Sequence, residues 1–392
     1  MANVIINDSN LIAIGNAIRE KNGTEETYKP REMAEAILAI TTGGDSGEYF
    51  SDEDLVFSGD CSYLFAYDKW KSVLEKEKSR LQMNDVTSVA YLFSNSTYED
   101  LSWLTINCDE SSSVVIRATY IFEKCRNLKK LPTFNNLMFY TNQSSSFFYD
   151  CNNLTDTDGL IRFFSNATYS ASNPQSNYYF YNCYSLRNID AVMPCIKKAW
   201  EKNASNYYFN YGGMFNGCAS LDEINNLYVN PNAASTSNRL SSVVSYCYRL
   251  KNFTFETNED GTPLVWQAKS QTLDLSDVGY YNYSNNKNNI LNYNSGITPD
   301  KEVVSVDDYH ALKNDPDWFV GHMKCSRYNH DSAVNTINSL PDTSAYLAAN
   351  GGTNTIKFKG AAGELTDGGA INTLTAEEIA VATAKGWTVT LT

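Results

Sequence analysis

Phe122-Glu-Lys-Cys125-Arg-Asn-Leu128 is the stretch from which the rest of the chain is read, because it recurs. Phe148-Tyr-Asp-Cys151-Asn-Asn-Leu154, Phe180-Tyr-Asn-Cys183-Tyr-Ser-Leu186 and Phe215-Asn-Gly-Cys218-Ala-Ser-Leu221 repeat it, and Val244-Ser-Tyr-Cys247-Tyr-Arg-Leu250 varies only the first position. Four copies carry a further apolar residue three places on, at Leu131, Ile189, Ile224 and Phe253. Tyr63-Leu-Phe65 and Tyr91-Leu-Phe93 read as degenerate copies without the cysteine. Register holds inside the motif and drifts between copies, so the insertions belong in loops.

A unit of this length cannot bury its own apolar face, whereas stacked copies bury each other's. Phe, Cys and Leu should then form ladders through the interior, with Leu-x-x-Ile entering a parallel sheet. A cysteine at one fixed place per copy reads as a small buried hydrophobe. Disulfides between neighbouring copies are geometrically open, at about one strand spacing. The nine cysteines are an odd number, however, and free thiols are expected.

Outward from the repeats, residues 1–40 read as two short helices. Leu11, Ile14 and Ile18 share one face, and Pro30 opens the second helix, which carries Met33, Ile37 and Ile40. Residues 41–48, Thr-Thr-Gly-Gly-Asp-Ser-Gly-Glu, read as a flexible linker. The repeats occupy 49–255. The remainder, 256–392, opens with a polar stretch and continues as mixed α and β. Asp331 is expected to cap a helix with Val334 and Ile337, Ile356 and Phe358 alternate, and Thr375-Ala-Glu-Glu378 is a capping box ended by Gly386.

Met214-Phe-Asn-Gly-Cys-Ala-Ser-Leu-Asp-Glu-Ile224 resembles the BspA-like class of leucine-rich repeats. Leu374-Thr-Ala-Glu-Glu-Ile-Ala-Val-Ala-Thr-Ala-Lys-Gly-Trp387 resembles the terminal segment of leucine-rich-repeat proteins encoded by bacteriophages of gut bacteria. Ala-Ile-Arg-Glu-Lys-Asn-Gly-Thr24 and Pro-Arg-Glu-Met-Ala-Glu-Ala-Ile37 are similar to a short module of phage tail and baseplate proteins. These resemblances imply an α+β chain: a β-rich leucine-rich-repeat solenoid with a small helical N-terminal module and a mixed α/β C-terminal cap. They also imply a virion component, made in the host bacterial cytoplasm.

Composition narrows the partners. A net charge of −14 on 392 residues lacks the basic face that tracks nucleic-acid phosphates. With mean hydropathy −0.40 and no run long enough to span a bilayer, no membrane insertion is expected. The opening Met1-Ala-Asn-Val-Ile-Ile-Asn-Asp has no basic n-region, so no signal peptide is expected. No dinucleotide fingerprint, Walker A loop or Gly-x-Ser-x-Gly elbow occurs. His322, Cys325 and His330 fit no standard zinc spacing, and Asp307-Asp308 and Asp315-Pro-Asp317 read as solvated turns. No cofactor, metal or catalytic residue is assigned.

The expected function is host-surface binding by a tail fibre or receptor-binding protein. The receptor would be an uncharged glycan or a protein, and residues 1–40 would join other virion proteins, in a homo-oligomer. The chain has 27 Tyr, 18 Phe and 6 Trp amid many Asn and Ser, a mixture suited to adaptable recognition. Tyr207, Tyr208 and Tyr211, in an insertion, are candidate contacts. So are Arg187, Asn188, Asp222 and Glu223, the residues between the core Leu and Ile of two copies. Two other readings stand beside this one. A purely structural virion protein would not adhere to cells. A polysaccharide depolymerase would need two carboxylates across a groove, whereas Asp222 and Glu223 are adjacent and alternate faces on a strand.

Overall fold

Contacts divide the chain into two units, Met1–Leu55 and Val56–Thr392. The computed structural model describes residues 55–109, 118–139, 146–169, 178–201, 210–247, 250–276, 278, 328–358 and 374–392. The helices expected in 1–40, Tyr207, Tyr208, His322, Cys325 and the acidic pairs at 307–317 lie outside the described residues.

Each motif copy is two consecutive turns. The Cys125 N–H donates to the Phe122 carbonyl at 3.0 Å and the Leu128 N–H to the Cys125 carbonyl at 3.1 Å; Cys151, Cys183, Cys218 and Cys247 and their leucines repeat the pattern. Neighbouring copies are joined by a second set of bonds. The N–H groups of Tyr91, Phe93 and Asn95 donate to Thr119, Ile121 and Glu123 of the next copy at 2.9, 2.9 and 2.7 Å. Residues two before and two after the ladder position have positive φ in every copy: Tyr63/Tyr67, Tyr91/Asn95, Tyr120/Lys124, Ser146/Asp150, Tyr178/Asn182, Gly213/Gly217 and Ser242/Tyr246. Alternating left-handed residues turn successive N–H groups to one side, which gives sheet-like bonding without strand geometry. Only one copy uses glycine at both places, and there close packing demands it. A Cβ on Gly213 would lie 2.4 Å from the Tyr178 ring, and one on Gly217 would lie 2.2 Å from Asn182 Oδ1.

Inside these turns the phenylalanines form one continuous stack. Phe93, Phe122, Phe148, Phe180 and Phe215 follow one another at 5.4–5.7 Å with rings within 6° of parallel, and Phe65 leads the series at 5.3 Å. All are fully buried, as are Leu128, Leu154, Leu221 and Leu250, with Leu186 nearly so. The repeat cysteines are free and buried. Each thiol donates to the ladder carbonyl of the preceding copy: Cys125 to Phe93, Cys151 to Phe122, Cys183 to Phe148, Cys218 to Phe180 and Cys247 to Phe215, at 2.9–3.1 Å. That carbonyl already accepts the turn N–H, so the thiol fills its second lone pair. Burial pushes the Cys125 thiol up to about 12, and Cys151, Cys183 and Cys218 well above the ordinary thiol range.

The expected α+β, β-rich leucine-rich-repeat solenoid is not what forms. The structure is mixed α/β, with several small parallel sheets and few helices. Strands β1 (Leu55–Asp60), β2 (Leu81–Ser88), β3 (Thr105–Cys108) and β4 (Thr133–Asn135) make one sheet in that order; β5 (Leu137–Phe139) pairs with β6 (Ala167–Tyr169), and β7 (Glu223–Leu227) with β8 (Asn252–Phe255). Leu-x-x-Ile does enter a parallel pairing, as in Ile224 opposite Phe253. Two causes prevent one long sheet. The motif itself is turn, held there by its left-handed residues. After Leu154 and Ile189 the chain enters helices: short α1 (Lys71–Lys76) is followed by α2 (Thr157–Ser165) and α3 (Met193–Glu201). Asp156 caps α2, accepting from the Gly159 N–H at 2.9 Å, and Pro194 sits in the first turn of α3, where its missing N–H costs nothing.

The C-terminal portion holds β9 (Thr272–Leu275), α4 (His330–Ser339), α5 (Ser344–Asn350), β10 (Asn354–Phe358), α6 (Ala376–Ala384) and β11 (Trp387–Leu391). Its sheet runs β11-β10-β9, all parallel. The Thr375–Glu378 capping box forms, Ile356 and Phe358 face inward, and Gly386 follows α6 at φ +82°. The cap of α4 is Asn329, reciprocated by Ser332, while Asp331 lies in its first turn. Across α4 and α6, His330 Nε2 meets Glu378 Oε2 at 3.2 Å. Burial acts to lower the His330 pKa, but its hydrogen bonds to Asp331 and Glu378 outweigh this and raise it. A raised folded pKa means that the pair's contribution is complete below about pH 6.5 and is lost as pH rises through the raised value. Thermal stability should therefore fall over that interval, and His330→Gln should flatten the fall. A variant with the wild-type pH profile would remove this pair as its cause.

Candidate functional site: an aromatic edge on the stacked turns

The left-handed place two residues before each ladder phenylalanine carries a tyrosine in four copies, Tyr63, Tyr91, Tyr120 and Tyr178. The first three stack outside the core: Tyr63 on Tyr91 at 4.6 Å and 5°, and Tyr91 on Tyr120 at 5.1 Å and 18°. Tyr149 and Tyr181, one place after their phenylalanines, stack at 4.8 Å and 2°. Beside the first stack, Tyr67 is 64% exposed and Trp70 46%, with Tyr63 at 40%. Burial, then the neighbouring Tyr63 and Tyr120 hydroxyls and the Glu123 carboxylate, push the Tyr91 hydroxyl up to about 12. That hydroxyl therefore stays protonated at physiological pH.

The backbone beneath is unusual. Tyr63, Tyr67, Asp68 and Trp70 all have φ between 58° and 63°. A bulky residue there costs about 1 kcal/mol or more relative to glycine. Packing explains the ladder phenylalanines and the stack of Tyr63 on Tyr91; it does not explain the rings of Tyr67 and Trp70 at left-handed, exposed places. Asp68 helps to fix this turn by accepting from the Thr97 N–H and hydroxyl at 2.7 and 2.8 Å.

The residues singled out from sequence divide into groups. Arg187, Asn188, Asp222 and Glu223 come together on one edge, with Asn188 bridged to Glu223 and Asp222 N–H donating to the Arg187 carbonyl at 3.1 Å. Arg187 and Asn188 are exposed, and Asp222 and Glu223 are half-buried. Glu223 is committed to Lys251 Nζ at 2.9 Å and to Asn225 Nδ2 at 2.9 Å, and these bonds hold its carboxyl below the usual range. It is thereby kept ionised, the opposite of what a glycosidic proton donor requires. Tyr211 is a correction: it is 1% exposed, its ring packs 6.1 Å from Trp200, and its hydroxyl donates to the Tyr228 carbonyl. The amphipathic helix α3 supplies the wall that buries it.

The tyrosine edge itself was missed by sequence reasoning. The available signal was the constant offset of Tyr63, Tyr91, Tyr120 and Tyr178 from the ladder phenylalanines. Among the described residues no group of three His, Cys, Asp or Glu side chains is placed to hold a metal, and no helix is long and apolar enough to cross a membrane. No protein family model, curated protein or solved structure matches the chain.

Proposed function

We propose that the chain is a recognition protein of a bacteriophage particle that adheres to the bacterial surface through the aromatic edge. The observation that carries the binding role is the set of tyrosine and tryptophan rings held outside the core on left-handed backbone at Tyr63, Tyr67 and Trp70. The turn bonding accounts for the left-handed backbone of the motif but not for large exposed rings upon it, and bulky side chains kept at such places, as at Tyr67 and Trp70, are the mark of a functional demand. Tyrosine presents rigid apolar area with a polar tip at low entropic cost. The ligand surface that suits it is an uncharged saccharide, whose C–H faces lie on rings and whose hydroxyls meet phenols. The −14 net charge disfavours polyanions. The virion assignment rests on the resemblance of the two ends of the chain to phage proteins, and residues 1–40 would then join it to other virion proteins.

The test uses Tyr67→Gly with Trp70→Gly in the full chain. Glycine relieves the left-handed backbone while adding unfolded-state entropy, so the two effects roughly cancel. Thermal stability should stay within a few degrees of wild type, while adsorption of labelled protein to a panel of gut bacterial strains should drop about tenfold or more. Undiminished adsorption by a folded double variant would refute the edge as the binding surface. Wild-type protein that adheres to no strain would leave the purely structural reading in its place.

A further inference from the structure

A separate cavity of about 380 Å³ opens between α3, the end of β7 and the residues after β8. Its walls include Asp190, Lys197, Trp200, Asn226, Tyr228 and Glu256. We infer that this cavity is a binding site for a single uncharged sugar unit, distinct from the aromatic edge.

The lining decides the class of ligand. Lys197 Nζ lies 2.8 Å from Glu256 Oε1 and 4.0 Å above the Tyr228 ring, so its charge is already balanced. Asp190 accepts from the Asn225 backbone N–H at 2.9 Å and from its amide at 2.7 Å. The lining thus carries two carboxylates and one ammonium, a balance that repels acidic sugars and other anions. A purely apolar ligand would strip water from these groups and return nothing. A neutral polyol satisfies them: its hydroxyls donate to the free lone pairs of Asp190 and Glu256, in bonds strengthened by the carboxylate charge. Burial, then the carboxylates of Glu201 and Glu256, push the Tyr228 hydroxyl up to about 12, so that group stays protonated. Side chains of α3 supply the apolar wall for the C–H face of the ring. The size falls in the range of small-molecule sites, and mixed apolar walls with a few convergent polar groups are their usual make-up.

The site is fixed by sequence in a way that serves binding. Asn226 has φ +61°, and its N–H bonds to Thr254 Oγ1 at 3.2 Å, which holds the β7 end open beside β8. Lys197 and Tyr228 join helix to strand across the cavity, so the walls are set before a ligand arrives and little ordering is lost on binding.

The experiment is saturation-transfer difference NMR on the full chain. The probes are D-galactose, D-glucose, D-mannose, L-rhamnose and N-acetylglucosamine, with D-glucuronate as the acidic arm. At least one neutral sugar should receive saturation and glucuronate should not. Glu256→Gln should weaken the responding sugar about tenfold, the loss of one charge-assisted hydrogen bond. If that variant does not fold, Asn226→Gly, which keeps the left-handed backbone and removes only the amide, should weaken it about fivefold. Transfer to no neutral sugar, stronger transfer to glucuronate, or wild-type affinity in the folded variants would each overturn the inference. The two sites are separated on the same spectra: transfer lost in Glu256→Gln and kept in Tyr67→Gly with Trp70→Gly belongs to this cavity, whereas transfer kept in Glu256→Gln and lost in the double variant belongs to the edge and overturns this site.

Discussion

Phe148→Ala is expected to cost about 4 kcal/mol in denaturant unfolding, the middle of the range for a buried aromatic. Phe148 is fully buried, with parallel neighbours on both sides, Phe122 at 5.4 Å and Phe180 at 5.5 Å. Phe163 meets it edge-on at 5.3 Å and Phe164 at 6.5 Å. Removing the ring deletes contacts to two adjoining copies and to α2 together. The cavity cannot collapse, because backbone bonds hold those copies in place: Phe148 N–H donates to the Tyr179 carbonyl at 3.0 Å, and Phe122 N–H to the Phe147 carbonyl at 3.0 Å. Phe148→Leu refills much of the volume and should cost under about 1.5 kcal/mol. An alanine variant within about 1 kcal/mol of wild type would show that the stack does not carry the stability assigned to it.

The second large effect is chemical. In native protein at pH 8, iodoacetamide should label Cys195, which is half-buried, well before Cys125, Cys151, Cys183, Cys218 or Cys247. Those five are at most 1% exposed, their thiols are engaged as donors, and burial disfavours the thiolate that reacts. Modification must wait for an opening of the stack, which slows it by at least about a thousandfold relative to unfolded chain. Peptide mapping by mass spectrometry reads this directly. Rapid labelling of any of the five, or a disulfide between two of them, would contradict the bonding described.

Much of the interior was legible in the motif. The recurrence of Phe, Cys and Leu at fixed offsets places one side chain per copy at each level of a stack, and such a pattern has few other physical readings. The capping box at Thr375 and the alternation at Ile356 and Phe358 were equally plain, because both are local. The backbone of the motif was not legible. Left-handed positions are ordinarily announced by glycine, asparagine or aspartate, but here many are filled by residues that usually avoid them, such as Tyr63, Lys124, Tyr178 and Tyr246. The long sheet expected from Leu-x-x-Ile gave way to small ones, since nine-residue helices after Leu154 and Ile189 take the place of strands. At the candidate site, of the polar pairs marked from sequence, Arg187 and Asn188 are exposed, while Asp222 and Glu223 are half-buried. Sequence placed Tyr211 on the surface only because the burying partner, Trp200, lies on a helix that the pattern did not reveal. The exposed rings at Tyr67 and Trp70 were hidden by the ordinary habit of reading aromatic residues as core.

The donor direction along the turns has a consequence for amide exchange. Tyr91, Phe93 and Asn95 give their N–H groups to the copy that follows, as do Phe180 and Asn182 to Met214 and Asn216. Deuterium uptake at these turn amides is therefore governed by the intactness of the following copy, whereas the amides of Ser220, Asp222 and Lys251, which donate to Tyr184, Arg187 and Asp222, depend on the preceding one. Loosening at the Ser242–Cys247 copy would bare the amides of Gly213, Phe215 and Gly217, which donate to Ser241, Val243 and Ser245, while leaving those of Tyr91 and Phe93 protected. Opening from the C-terminal side would bare turn amides first and opening from the other side the amides after the motif, so an isotope-exchange map should record from which end the stack opens.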